Sequence, residues 1–264
     1  MKIKFRNFLI FAIAVIMGGC GVINKGSESK SDIKRKNPTV IGDLAHDEEN
    51  PWGYRIYIEE DGKYVPFIVL TSNYNGNCLL LREFLLDDLY SYNSSGEYGS
   101  YYNGSNIDKF LNENYYLEIS ENTRKLIAES EIEITSKSAI DTHNDKIETI
   151  KRYIFILSAN EVNGALGSIT LKEGKTLDYF KTIENRIAMF ENSSTCSWML
   201  RTPALEGGNT IMGISYNGSI GMGGINTIAG VSENAVRPAF CISTDIPIIK
   251  SEDIIEGEKV FCIN

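Results

Sequence analysis

The pattern from residue 54 to residue 71 constrains this chain most. Tyr54 to Glu60 alternates aromatic or aliphatic residues with polar ones, Asp61-Gly62 follows, and Lys63 to Thr71 resumes the run. That is the signature of a β-hairpin with a two-residue turn. Pro66 lies inside the second run and predicts an edge or a bulge there. Asn75-Gly76 marks the next turn, and Cys78 to Arg82 reads as a third strand.

The middle of the chain changes character. Tyr90 to Gly104 is almost wholly Tyr, Ser, Gly and Asn and reads as a long loop. Ser105 or Asn106 then caps a helix that carries Ile107, Phe110 and Leu111 on one face. Ser120 caps a second short helix running through Leu126 and Ile127. Glu131 to Thr135 and Lys151 to Leu157 read as strands. Ser158 and Glu161 have the spacing of a capping box, which starts a helical turn. The last third is β-rich. It has strands at Ser197–Arg201, Val236–Ile242 and Lys259–Ile263, and a hairpin from Asn209 to Met222 around Asn217-Gly218. Strands at both ends with helices between them predict an α+β domain of short antiparallel strands, two to four short helices and long loops. The βα alternation of a parallel sheet is missing.

The N-terminus carries an address. Lys2, Lys4 and Arg6 precede an apolar run from Phe8 to Met17, and Met17-Gly18-Gly19-Cys20 closes it. A spanning helix needs about 20 apolar residues, twice this run. The segment resembles a signal peptide with the lipobox of bacterial lipoproteins. The resemblance implies removal of residues 1–19, lipid (palmitate among the chains) on Cys20, and stable anchoring at the extracytoplasmic face of the cell membrane. Residues 20–50 read as a flexible polar stalk, and residues 51–264 as a single domain.

Charge narrows the partners. The chain carries −9, and losing Lys2, Lys4 and Arg6 leaves −12 on residues 20–264. Such a surface does not favour nucleic acid or anionic polymers, and it suits cations or neutral ligands such as sugars. Cys78, Cys196, Cys241 and Cys262 allow three pairings. Buried free thiols are the simpler alternative in a chain long enough to do without disulfides. Neither a metal site nor a cofactor is expected. Asp141 to Asp145 reads as a solvated turn rather than a calcium loop. Gly221-Met222-Gly223-Gly224 reads as a tight β connection rather than a phosphate loop.

Three segments carry a further resemblance: Ile107-Asp108-Lys109-Phe110-Leu111-Asn112, Trp198-Met199-Leu200-Arg201-Thr202-Pro203 and Val236-Arg237-Pro238-Ala239-Phe240. They are similar to the helix motif, the W-x-L-R-S/T-P motif and the G-V-R-P-A motif of a bacterial domain of unknown function. That domain is common in secreted proteins and lipoproteins of Gram-positive bacteria. The likeness spans Val65 to Ile246 and departs at Ala235 and Met199. It implies structural roles for Phe110, Leu111, Asn112, Trp198, Leu200, Pro203 and Pro238. It also implies a C-type-lectin-like fold of the kind seen in formylglycine-generating enzymes, with paired termini. No catalytic residue is carried over.

Candidate ligand-binding residues come from two places. Tyr90, Tyr92, Tyr98, Tyr101 and Tyr102 give the loop the composition of an adaptable recognition surface; the same loop could equally pack over the domain. Arg201 and Arg237 read either as structural arginines at strand ends or as an anion clamp. The expected function is a surface-anchored, non-catalytic module binding an extracellular carbohydrate, peptide or protein. The alternatives are an enzyme whose residues meet only in three dimensions, and an envelope protein with no ligand.

Overall fold

The computed structural model describes residues 37–46, 55–93, 99–142, 144–163, 173–204, 209–220, 226–228, 233–255 and 258–263. They form a mixed α+β domain built mostly of strands. The compact unit begins at Asn37. The stretch expected as stalk therefore gives its last part to the domain. The reason is apolar burial: Ile41 and Leu44 are fully buried, and Ile41 and Gly42 donate to the carbonyls of Ile246 and Thr244.

The predicted hairpin is the centre of the main sheet. β1 (Arg55–Glu60) pairs with β2 (Lys63–Tyr74) from Arg55↔Ile68 to Glu60↔Lys63. Asp61 and Gly62 both take positive φ, as a two-residue turn of matching twist requires. β2 continues into β3 (Asn77–Arg82) through Asn75-Gly76, also at positive φ. The sheet then runs to the strand Ala239–Ser243, which also pairs with Ile127–Ala128 and Ile154–Phe155. On the other side β1 lies parallel to Glu258–Ile263, which pairs with Ile248–Ile255. The two ends of the domain thus share one sheet.

Pro66 is neither at an edge nor at a bulge, because β2 lies between β1 and β3. Its carbonyl accepts from the Glu83 N–H at 2.9 Å. The nitrogen and oxygen of one strand residue face the same neighbour, so the missing N–H faces the end of β3. Arg82 is the last paired residue there, so the proline forgoes one bond at the end of that ladder, to Glu83, and none within it.

Three other expectations change for tertiary reasons. The helix capped by Ser120 spans only Glu121–Arg124, since Ile127 joins the sheet opposite Ile242. The run 151–157 divides at Tyr153. Asn112 Oδ1 accepts from both Tyr153 N–H and Ile154 N–H, so Ile147–Arg152 pairs with Ser130–Thr135 while Ile154–Phe155 joins the main sheet. Val236–Ile242 is extended only from Ala239, just after Pro238. The helix at Lys137–Thr142 is an addition to the sequence reading.

The remaining elements frame the core. A continuous helical stretch covers Asn106–Glu118, with a π turn at Leu111–Tyr115. Ser105 caps it by accepting from Asp108 N–H, and Ile107, Leu111 and Tyr115 face inward. Trp198–Pro203, buried at every position, pairs with Thr210–Ile214, which pairs with Asn226–Ile228. The expected second hairpin closes through the Ile214↔Ile220 bridge; Met222 lies outside the described residues. Among the described residues no helix is long and apolar enough to cross a membrane.

Candidate functional site

A cleft of about 520 Å³ opens where the β2–β3 turn, the strand Ser130–Thr135 and the segment Gly174–Asp178 approach one another. Thr71, Asn73, Tyr74 and Asn75 line it from β2 and the turn after it. Glu131 and Glu133 come from the outward face of Ser130–Thr135, with Thr149 from the paired strand. Gly174, Lys175, Thr176, Leu177 and Asp178 close the third side, and His46 and Leu70 complete it. Alternation explains the acidic wall, since Ser130–Thr135 buries Ile132 and Ile134 and turns both glutamates outward. Asn75 ties the turn to that strand by donating to the Glu131 carbonyl at 2.7 Å.

Tyr74 gives the cleft an aromatic wall, and its orientation is fixed from behind. The ring stacks on Phe155 at 5.8 Å. Its hydroxyl donates to Glu161 Oε1 at 2.7 Å. Glu161 in turn receives Arg201 in two-pronged fashion, Nη1 to Oε2 at 2.7 Å and Nη2 to Oε1 at 2.8 Å. Both side chains are 0% exposed. Arg201 also donates to the carbonyls of Glu133 and Ile156. Ser158 and Glu161 form the predicted reciprocal capping bonds, although a turn rather than a helix follows.

A second carboxyl shares this buried cluster. Glu173 Oε1 accepts from the Thr135 N–H and hydroxyl, and Oε2 contacts the Thr202 hydroxyl. Burial pushes the Glu173 carboxyl above the usual carboxylate range against the pull of Arg201 and these donors. Burial and Glu161 together push the Tyr74 phenol up. Burial opposes the charge on Arg201, but Glu161 outweighs it and the guanidinium holds its proton more firmly than usual.

The tyrosine loop lies against the domain. Tyr92 and Tyr102 are buried, and the Tyr92 hydroxyl donates to the carbonyls of Ser100 and Arg201. Tyr90 packs on Phe110 with ring centroids 4.2 Å apart. Tyr101 is half-buried and donates to Glu148. Tyr98 and Cys20 lie outside the described residues. Of the four described tyrosines of the loop, none lines the cleft.

The family-like motifs meet in the core. Trp198 bridges Ala235, and Met199 N–H donates to the Ala235 carbonyl. The Arg237 guanidinium lies 5.5 Å from the Trp198 ring centroid, and its Nε donates to the Arg82 carbonyl. Burial pulls the Arg237 charge down. Arg82 itself pairs with Glu60, which also accepts from Tyr115. Leu111 and Leu200 are core residues, Phe110 packs against the core, and Pro203 ends its strand. Asn112 Nδ2 donates to the carbonyls of Asp108 and Ile154, and Pro238 supplies its carbonyl to the Arg82 N–H.

Cys78, Cys196 and Cys241 are free thiols, and Cys262 is buried. Burial pushes Cys78 and Cys241 up to about 12. Among the described residues no group of three or more His, Cys, Asp or Glu side chains could hold a metal ion.

Nothing in the sequence alone marks Tyr74 or Glu173 as a site residue. Glu161 was visible only as a helix-capping residue. The one signal for Tyr74 was its place beside the Asn75-Gly76 turn, where side chains leave the sheet.

A family model described as "Domain of unknown function (DUF6273)" matches residues 75–244, well over half of the chain. No curated protein and no solved structure matches it.

Proposed function

The chain belongs to the DUF6273 family, and from that premise we propose that it is lipid-anchored at the extracytoplasmic face of the cell membrane and that its domain binds a polar extracellular ligand beside Tyr74. One observation carries this reading: a polar cleft whose aromatic wall is held by a buried ion pair. Its volume is that of an ordinary small-ligand site. The hydroxyls and amides of Thr71, Asn73, Thr149 and Thr176 suit a ligand rich in hydrogen-bonding groups. Glu131, Glu133 and Asp178 outnumber Lys175, which favours neutral or amine-bearing carbohydrates and peptides over acidic ones.

The non-catalytic part of the reading is supported by how the reactive groups are engaged. Arg201 is committed to Glu161 and to two carbonyls. Cys78 and Cys241 are buried thiols with little nucleophilic form at neutral pH. Arg201, Arg237 and Cys196 are not among the residues lining the cleft. A C-type-lectin-like arrangement is part of the proposal; the pairing of the domain's two ends, β1 with Glu258–Ile263, supports it. The anchor rests on the sequence around Cys20.

The test is a binding screen of the purified chain against neutral, amine-bearing and acidic oligosaccharides and peptides. Saturable binding confined to the first two classes is expected. A preference for acidic ligands would refute the reading.

A further inference from the structure

We infer that Glu173 is a positioning residue that fixes one wall of the cleft as an uncharged carboxylic acid, and that this wall loosens when the carboxyl loses its proton. The functional consequence rests on the cleft being the ligand site; the structural claim stands without it.

The geometry starts from a count of charges. Glu161, Glu173 and Arg201 are all fully buried, the two glutamates on irregular segments and Arg201 on the strand Trp198–Pro203. Arg201 sends both terminal nitrogens to Glu161 and its Nε to the Glu133 carbonyl. Glu173 thus has no ion-pair partner among the described residues. The groups facing it are Thr135 from Ser130–Thr135, Thr202 and Arg201 from Trp198–Pro203, and, at longer range, Tyr92. Ionising Glu173 would set a second buried carboxylate against a cation already neutralised by the first, which is costly. The contact between Thr202 Oγ and Glu173 Oε2 serves the neutral acid as well. A protonated Oε2 donates to the hydroxyl oxygen, which also accepts from Ala159 N–H at 2.8 Å.

Glu173 stands at the root of the wall. Its own carbonyl accepts from the Ser158 hydroxyl. The next residue, Gly174, donates to Glu133 Oε2 and accepts from Asn160 Nδ2, and Leu177 N–H donates to the Glu161 carbonyl. Residues 174–178 all line the cleft. Burial raising the Glu173 carboxyl agrees with the neutral form. The sign follows from linkage. A carboxyl raised in the folded state stabilises the fold fully below the ordinary carboxylate range, and that contribution is lost as pH rises through the raised value.

The test is amide hydrogen exchange of the full chain between pH 5 and pH 8 (conditions on the order of those where carboxyls and histidines titrate), corrected for intrinsic rates. Protection of the Gly174 and Leu177 amides, both hydrogen-bonded in the wall, should fall with rising pH, by up to about tenfold per pH unit. Glu173→Gln keeps an uncharged hydrogen-bonding group and should be protected at all pH values. His46 is unchanged in that variant, so a slope that persists in it belongs elsewhere and overturns the inference. A flat wild-type profile overturns it without any variant. Glu173→Met, should Glu173→Gln not fold, must also abolish the slope. No ligand is needed. Failure to find one would sink the binding reading alone, and a flat profile in a chain that binds would sink this inference alone.

Discussion

Arg201 and Glu161 meet end to end, with Nη1 2.7 Å from Oε2 and Nη2 2.8 Å from Oε1, and neither side chain reaches solvent. Each is the other's charge partner. Arg201→Met or Glu161→Gln alone should therefore cost about 3–5 kcal/mol, because the remaining group stays buried. Replacing both with apolar residues should cost less than the sum. Denaturant unfolding of the two singles and the double measures this, and strict additivity would contradict it.

Gly174 sits at φ +77 with its backbone against Glu161. A Cβ there would lie 2.5 Å from Glu161 Oε1. Gly62, at φ +74, has nothing within 4 Å. Gly62→Ala should cost only the left-handed conformation, about 1–2 kcal/mol. Gly174→Ala should cost more, and the difference reports the pressure on the ion pair. Equal losses in thermal unfolding would show that the contact is unimportant.

Asn112 joins the helix to the sheet through four backbone groups, those of Asp108, Tyr153 and both ends of Ile154. Asn112→Ala should destabilise the domain by about 1–3 kcal/mol, since partly buried polar groups lose their partners. Asn112→Asp retains the acceptor and should recover part of the loss.

Cys78 and Cys241 are pushed up to about 12 by burial, so almost no thiolate exists at pH 8 in the folded chain. Alkylation followed by mass spectrometry should label half-buried Cys196 first and reach Cys78 and Cys241 only on unfolding. Rapid labelling of either in the folded state would contradict the packing of β3 against Ala239–Ser243.

Cys20→Ala should release the protein from the membrane into the medium. Persistent membrane association in fractionation would remove the lipid anchor from the account.

The central hairpin was legible because its information is local. Asp61-Gly62 and Asn75-Gly76 specify their turns, and alternation specifies the faces. What lay outside local reading depended on distant partners. Ile127 becomes a strand because Ile242 is beside it, and the run at 151–157 breaks because Asn112, about 40 residues earlier, takes its amides. The site follows the same rule. Arg201 was recognisable as a buried arginine in need of a partner. Glu161 is 40 residues away in sequence and Tyr74 a further 87 before that. No pattern of spacing joins those three. The tyrosine loop shows the converse limit, since composition alone could not separate a recognition surface from a packed one. Tyr92 and Tyr102 prove to be buried.

The most direct test compares Tyr74→Ala with Tyr101→Ala for any ligand recovered from the screen, both variants first checked for wild-type unfolding. The account predicts that Tyr74→Ala weakens binding at least about tenfold, the loss of about 1.4 kcal/mol of ring contact, while Tyr101→Ala leaves it within about twofold. Undiminished binding by Tyr74→Ala, with loss in Tyr101→Ala, would move the site to the loop and contradict the cleft.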